Sequence, residues 1–165
     1  MDYLWTPWRY QYITSAAGQP GECVFCAAGR QADDDRRSLV VHRAASNFVI
    51  LNRFPYTSGH VMVVPYLHIA TPEELPEETL MEMMRLTRDA VKHLRAVYRP
   101  EGLNLGMNVG QSAGAGIAGH VHMHVLPRWT GDTSFMTATS ETRVLPEALD
   151  TTWEKLSAAF GAAGR

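Results

Sequence analysis

The sequence predicts an α+β fold in which an antiparallel sheet carries one long helix and a C-terminal helix. Three apolar segments between residues 38 and 66 follow one another through short connections. Such connections suit antiparallel strands, because parallel strands need crossovers of a dozen or more residues. A helical repeat over 71–100, then a strand pair and a last helix, complete the order strands, helix, strands, helix.

The first predicted elements lie between residues 27 and 66. Residues 27–37 are polar and rich in Gly and Ala, which predicts a surface loop. Strands are expected over 38–43, 47–53 and 60–66, where Val and Ile are frequent. Residues 54–59, with the sequence FPYTSG, have the composition of a turn.

The long helix is predicted over 71–100. Thr71 and Glu74 match a capping box, Pro76 separates a short first turn, and Pro100 ends the helix. Its apolar positions recur at helical spacing, and its methionines are expected to fill the core. These positions are Leu80, Met83, Met84, Thr87, Ala90, Val91, Leu94 and Val97.

The remaining elements are a strand over 103–109, a glycine-rich segment over 110–119 and a histidine-bearing strand that runs to about Pro127. A last helix is expected from about Pro146, with Trp153 and Phe160 on one side.

Composition limits the classes of partner. The chain has 165 residues, of which 45% are hydrophobic and 19% charged, with a net charge of −2 and no run of five like charges. A nucleic acid polymer is therefore not expected as a partner, because its phosphates require a basic patch. No apolar run reaches 18 residues, so no membrane partner is expected. The N-terminus lacks a signal-peptide core, which indicates a cytoplasmic protein.

Three histidines in five positions are the strongest chemical signal. His120, His122 and His124 would share one face of a strand, with Val121 and Met123 on the other. A solvated strand, a metal site and catalysis at a phosphate are the three interpretations.

The preceding segment has glycines at 106, 110, 114, 116 and 119, whose backbone amides could surround an anion. Glycine amides next to aligned imidazoles favour phosphate chemistry, with one ring as nucleophile and another as proton donor.

Cys23 and Cys26 form the C-x-x-C sequence CVFC, the spacing of half a tetrahedral zinc site. Among the histidines, His42, His68 and His120 remain open as further ligands, whereas His93 is expected to be solvated on a helix face. A metal-free pair of thiols and a redox pair are the alternatives.

These residues resemble the histidine triad (HIT) superfamily of nucleotide hydrolases and transferases. The segment HVHMHVL (120–126) fits its signature, and FVILNRFPYTSGHVMVVP (48–65), NVGQSAGAG (108–116) and HVLPRW (124–129) are similar to its other segments. LWTPWRYQYI (4–13), AGAGI (113–117), PRWTGDTSFM (127–136) and TRVLPEAL (142–149) resemble the bacterial branch that includes diadenosine tetraphosphate phosphorylases.

The resemblance implies a role for individual positions. His122 would attack the α-phosphorus and become nucleotidylated, and His124 would assist the leaving group. His120 would hold the network, with His60 as a fourth histidine. Asn52 would bind the ribose. The residues implied to contact the phosphates are Asn108, Gly114 and Gly116. Gln111 or Ser112 would replace the side-chain donor that is usual in the family.

The resemblance also implies a metal and an assembly. The ligands of a structural zinc ion would be Cys23, Cys26, His68 and His120. The HIT-like sheet would continue across a homodimer or a higher homo-oligomer. The whole chain, 1–165, would be a single HIT domain with its core at about 23–128, an N-terminal arm at 1–22 and a C-terminal extension at 129–165.

Three functions are compatible with these features. The first is cleavage of diadenosine tetraphosphate through nucleotidyl-His122, with phosphate favoured over water as the acceptor. The second is a Hint-like hydrolase of adenosine phosphoramidates or dinucleoside polyphosphates. The third is a nucleotide- or zinc-binding module without turnover, against which the intact triad argues because a binding module needs no nucleophile.

Overall fold

The computed structural model describes residues 22–132 and 147–163. The N-terminal arm with Trp5 and Trp8, and the expected helix start at Pro146, lie outside these residues. The described helices and strands are α1 (Val24–Arg30), α2 (Asp35–Ser38), β1 (Val40–Arg43), β2 (Asn47–Leu51), β3 (Val61–Pro65), α3 (Glu77–Tyr98), β4 (Gly102–Met107), β5 (Met123–Arg128) and α4 (Leu149–Ala163).

The five described strands form one antiparallel sheet in the order β1-β2-β3-β5-β4. Every neighbouring pair is antiparallel, which confirms the predicted α+β class. β2 and β3 are buried along their whole length. Within the interior of the sheet, Val49 pairs with Val63, and Val63 pairs with Met123. These central strands therefore supply much of the hydrophobic core.

The long helix α3 packs against β3 and β5. A 3-10 turn at Pro72–Glu74 precedes it and Pro76 stands at its N-terminal boundary, so the predicted break is present. The capping box is not formed, because Thr71 is extended and its buried hydroxyl has no hydrogen-bond partner among the residues that the structure describes. The helix ends at Tyr98, before Arg99 in the left-handed conformation.

The prediction that the methionines of this helix fill the core is right for Met83 and wrong for Met84. Met83 is fully buried, whereas Met84 is 49% exposed. Neighbouring positions on a helix lie about 100° apart, so only one of the two faces the sheet.

The predicted surface loop over 27–37 is wrong, because this stretch contains the end of α1 and all of α2. The Arg43 guanidinium donates hydrogen bonds to the carbonyls of Ala28, Gly29 and Gln31. These bonds satisfy carbonyls that the end of a helix leaves without partners. A side chain from β1 thus stabilises α1, and local sequence does not show this contact.

The C-terminal helix α4 lies against β1 and α3. The Trp153 indole N–H donates a 2.7 Å hydrogen bond to the carbonyl of Val40. The Phe160 ring lies between the rings of His42 and His93, with centroid distances of 5.1 and 4.4 Å. His93 is therefore half-buried, and the prediction of a solvated residue is wrong. None of the described helices is long and apolar enough to cross a bilayer.

Candidate active site

The histidine triplet spans the entry to β5 rather than a continuous strand. β5 begins at Met123, so His120 and His122 precede it and only His124 lies on it. The predicted strand was therefore too long, and the three rings do not form one row. His122 and His124 have ring centroids 4.7 Å apart, whereas the His120 ring lies beside His68 at 5.1 Å. The triplet thus contributes to two adjacent sites.

A backbone hydrogen bond fixes the tautomer of His122. Its Nδ1 lies 2.8 Å from the carbonyl oxygen of His120. Because a carbonyl oxygen only accepts, Nδ1 carries the hydrogen of the neutral ring. The Nε2 atom of His122 then has a free lone pair, which is the form that a nucleophilic imidazole requires.

A chain of hydrogen bonds gives His124 the same tautomer. The backbone N–H of Tyr56 donates to His60 Nδ1 at 3.2 Å, so the hydrogen of neutral His60 is on Nε2. His60 Nε2 lies 2.9 Å from His124 Nδ1 and donates to it. The hydrogen of His124 is therefore on Nε2, where it can be donated to another group.

Burial keeps the two reactive rings neutral at pH 7. It lowers the pKa of His122, although the bond to His120 acts in the opposite direction. Burial, together with the neighbouring His122, lowers the pKa of His124 to about 4. A neutral His122 offers a lone pair and a neutral His124 offers an N–H that can donate a hydrogen bond, so the two rings can act as nucleophile and as donor to an oxyanion.

Two aromatic side chains hold these histidines. Phe25, which is 3% exposed, contacts the rings of His120 and His122 at 5.4 and 4.9 Å. Tyr56 stacks on His60 at a centroid distance of 5.0 Å. Tyr56 is not among the residues predicted from the sequence, where its one local signal is a position in the turn before His60.

The turn before His60 requires a glycine. Gly59 has a φ of +83°, and a Cβ there would lie 3.0 Å from the Tyr98 ring. Because the backbone is left-handed here and α3 approaches closely, any residue other than glycine would be strained at this position. Gly59 therefore sets the path that places the fully buried His60 next to His124.

Two of the expected substrate-binding residues lie at this end of the sheet. Asn52 is buried, and its Oδ1 accepts a 2.9 Å hydrogen bond from the backbone of Phe54. Its backbone N–H donates to the carbonyl of His60. β4 and β5 pair as far as Met107 and Met123, so Asn108 and His122 both adjoin the last pair of these strands.

The glycine-rich loop has more internal structure than expected. Gly110 and Gly114 have positive φ angles of 80° and 85° around a 3-10 turn. The N–H groups of Gly114 and Ala115 bond to carbonyls within the loop, which leaves Gly116 among the amides that can face a ligand. Gln111 and Ser112 are exposed. Within the described residues, neither side chain bonds to the histidines.

Four side chains of the types that can ligate a metal converge beside the candidate active site. One ligand atom each from Cys23, Cys26, His68 and His120 lies within 4.8 Å of the others. His120 Nδ1 is 3.4 Å from Cys23 Sγ and 3.2 Å from His68 Nδ1, and Cys26 Sγ is 3.2 Å from His68 Nδ1. A tetrahedral zinc site has ligand–ligand separations of roughly 3.3–3.8 Å, so this cluster fits the ion.

A further contact prepares His120 for such a role. Its Nε2 lies 2.9 Å from the carbonyl oxygen of Pro65 and donates to it, which leaves the Nδ1 lone pair directed at the cysteines. The two cysteines are both free thiols. His42, the other candidate ligand, packs on Phe160 away from the cluster.

Comparison with known proteins identifies the family. The family model described as the HIT domain matches residues 34–131. The chain belongs to the HIT family. A HIT relative from Mycobacterium tuberculosis named AP-4-A phosphorylase is 37% identical over 154 residues, covering 88% of this chain and 77% of the relative. The resemblance inferred from the sequence motifs is thus confirmed.

Solved HIT structures share the fold. A Zn-bound histidine triad family protein from Mycobacterium smegmatis superimposes with a TM-score of 0.69 at 27% identity, covering 87% of this chain and 96% of that one. A diadenosine triphosphate hydrolase from Plasmodium falciparum gives 0.64 at 15% identity, covering 94% and 97%. At that identity the second comparison supports the fold alone. Both agree with the predicted antiparallel HIT-like sheet.

Proposed function

We propose that this HIT protein cleaves diadenosine tetraphosphate through a covalent nucleotidyl-His122 intermediate. The observation that carries the proposal is the 2.8 Å contact between His122 Nδ1 and the carbonyl of His120, which leaves Nε2 free to attack phosphorus. The similarity to a mycobacterial AP-4-A phosphorylase supports the choice of substrate.

The reaction proceeds in two balanced steps. His122 Nε2 attacks the α-phosphorus, a P–N bond forms, and the P–O bond to the rest of the chain breaks. The Nε2–H of His124 donates a hydrogen bond to the departing oxygen, so that ATP leaves as an anion with the bonding electron pair. The acceptor then attacks phosphorus, the electron pair of the P–N bond returns to His122 Nε2 as that bond breaks, and the acceptor's proton passes to solvent. Phosphate as acceptor gives ADP, whereas water gives AMP.

The remaining site residues hold the substrate. Asn52 binds the ribose hydroxyls, and Asn108 contacts the phosphates beside His122. The backbone amide of Gly116, with the Gln111 or Ser112 side chain, completes the phosphate site, whereas the expected Gly114 amide already bonds to the carbonyl of Gln111. Fixed amide donors stabilise the charge that develops on phosphoryl oxygens without a basic patch, which suits a chain of net charge −2.

Product analysis tests this function. The protein is incubated with diadenosine tetraphosphate, with and without inorganic phosphate, and the nucleotides are separated. We expect ATP in both reactions, together with ADP where phosphate is present. AMP plus ATP in both reactions would reject phosphorolysis, and intact substrate would reject the function.

His122→Ala should abolish cleavage while nucleotide affinity remains, because the ring is needed for chemistry rather than for binding.

The same chain would hold a structural zinc ion through Cys23, Cys26, His68 and His120. Bound there, the ion would supply a closed four-ligand cross-link between α1 and the entry to β5. The fit of the cluster and the Zn-bound structural relative support this proposal. Elemental analysis should give one zinc per chain, and Cys26→Ser should reduce that content. If wild-type protein purified without chelators contained no zinc, that result would contradict the proposed zinc site.

A homodimer would form through β4. This strand is at the edge of the described sheet, and Leu105 at its centre is 50% exposed. Unpaired edge strands tend to be covered by another chain. Light scattering should give the mass of a dimer or a higher oligomer, and Leu105→Pro should shift it towards the monomer. A wild-type monomer at micromolar concentration would contradict this assembly.

A further inference from the structure

A cleft outside the histidine site gathers three arginines. It lies between α2, the residues that follow β2 and the start of α4, and its cavity volume is about 400 Å³. That volume falls in the range of small-ligand sites. The residues that line it are Arg36, Arg37, Leu39, Arg53, Ala148, Leu149 and Asp150. The lining thus carries three cations against one carboxylate, in a chain whose overall charge is negative.

Among the described residues, carboxylates pair with one of these arginines. Arg36 pairs with Glu154 at 2.8 Å and with Asp150 at 3.8 Å. No ion pair of Arg37 or Arg53 is found in the part of the chain that the structure describes. Two guanidinium groups therefore remain available to an anion, and their planar forks match phosphate oxygens.

The backbone that carries these side chains is fixed. Asp34 caps α2 by accepting the N–H of Arg37 at 3.0 Å. Leu39 follows in the left-handed conformation with a φ of 63°, and its carbonyl accepts the N–H of Leu51. Arg53 follows Asn52, whose side chain closes a turn onto Phe54. Arg37 and Arg53 thus extend from fixed backbone positions, which reduces the entropy lost on binding.

The wall of the cleft is apolar on one side. Leu39 is 8% exposed and Leu149 is half-buried, and both line the cavity beside the arginines. A ligand with a phosphate chain and a less polar body would fit both parts of this lining. Inorganic phosphate alone would use only the charged part.

We propose that this cleft binds a nucleoside polyphosphate, with its phosphates on Arg37 and Arg53 and its nucleoside against Leu39 and Leu149. The site is separate from the histidine cluster and does not depend on the proposed cleavage reaction. The ligand is either a free nucleotide or the far half of a dinucleotide, since both carry a phosphate chain attached to a nucleoside.

Titration monitored by backbone amide NMR tests the proposal, with ATP as the probe. We expect saturable shifts at residues 37–39, 53 and 148–150, in addition to shifts near the histidines. Adenosine should shift the cleft amides far less. Diadenosine tetraphosphate added to His122→Ala distinguishes the two sources. If the amide shifts at the cleft and near the histidines saturate together at one ligand per chain, the cleft holds the far half of the substrate. If the cleft shifts saturate only with a second equivalent of ligand, the cleft holds a free nucleotide.

A double variant provides the decisive comparison. Arg37→Gln with Arg53→Gln should weaken ATP binding at the cleft by about tenfold or more, since both charge-assisted contacts to the phosphates are lost. Shifts near the histidines should persist in this variant. Arg85→Gln with Arg95→Gln, two exposed arginines of α3, is the matched control and should change neither site. Shifts confined to residues 106–124, or unchanged cleft affinity in the double variant, would overturn the proposal without touching the proposed reaction.

Discussion

The backbone carbonyl of His120 accepts the Nδ1 hydrogen of His122, while the ring of His120 faces two cysteines and His68. One residue thus belongs to the candidate metal cluster through its side chain and to the candidate active site through its backbone. Phe25, which lies between the cysteines in sequence, contacts both of these histidine rings. The metal cluster is therefore expected to influence the orientation of the nucleophile.

Removal of the metal should consequently reduce both stability and cleavage. Treatment with a strong chelator should lower the melting temperature and the rate, because His120 loses the contacts that fix its backbone. Circular dichroism and product formation are measured before and after chelation. Restoring zinc should recover both quantities. A chelated protein that is shown to be metal-free and retains full activity would contradict this coupling.

His60 should act on the reaction through His124. His60→Ala removes the donor that fixes the His124 tautomer, so kcat should fall by about a hundredfold, the scale of losing one oriented donor to a developing oxyanion. KM should change little, because His60 is buried and faces another side chain. Steady-state kinetics on diadenosine tetraphosphate separates the two parameters.

A substrate with a better leaving group provides the control for His60. Adenosine 5′-phosphorofluoridate releases fluoride, the anion of a stronger acid than the terminal phosphate of ATP, so His60→Ala should impair its cleavage much less. His60→Gln, which keeps a hydrogen-bond donor, should lie between wild type and His60→Ala. Equal losses on both substrates would show that His60 matters only for folding.

Stability should fall as the pH decreases from about 7 towards 5.5. An unfolded histidine has a pKa near 6.5, whereas the pKa of folded His124 is lowered to about 4. Between these values the unfolded state binds more protons, so acid favours unfolding. Buried His120 and His122, whose pKa values are also lowered, act in the same direction. Urea midpoints should therefore decrease over this interval.

The His124→Asn variant checks the contribution of this residue to the pH dependence. Its urea midpoint should change less between pH 7 and 5.5 than that of the wild type. The comparison stays above pH 5 because carboxylates with lowered pKa values, such as Glu82, begin to lose their contribution below that point. An identical slope in the two proteins would contradict a neutral, buried His124.

Glu82 should stabilise the turn between β1 and β2. Its carboxylate accepts the backbone N–H groups of Ala45 and Ser46 and the side-chain amide of Asn47. Burial raises its pKa, but these hydrogen bonds outweigh that effect and lower it. Glu82→Gln should cost about 1–3 kcal/mol in the free energy of unfolding, measured with urea. Glu78→Gln, exposed on the same helix, should change it by less than about 0.5 kcal/mol.

The sequence predicted what depends on local patterning. The apolar segments located the strands of the central sheet, and the proline at position 76 located the start of α3. Segments stabilised by distant side chains were missed. α1 depends on Arg43, and the half-buried His93 depends on Phe160 from α4. Neither contact leaves a signal in the neighbouring residues.

The candidate site shows the same division. The spacing of the triplet placed three histidines together, but a strand was assigned where the chain is irregular. The reason is that Val121 bonds to Ile69 and the His120 ring turns towards the cysteines, so pairing with β4 and β3 starts only at Met123. Similarly, Tyr56 acts through its backbone N–H and its ring contact with His60, neither of which its residue type predicts.

Mass spectrometry of the acid-sensitive intermediate tests the central claim most directly. The enzyme is mixed with diadenosine tetraphosphate without phosphate, quenched in alkali within milliseconds, digested and mapped. We predict an adenylyl group on His122, absent from His122→Ala and lost on a chase with phosphate as ADP forms. An adenylyl group on another histidine, or rapid turnover with no covalent adduct at any time point, would contradict the account.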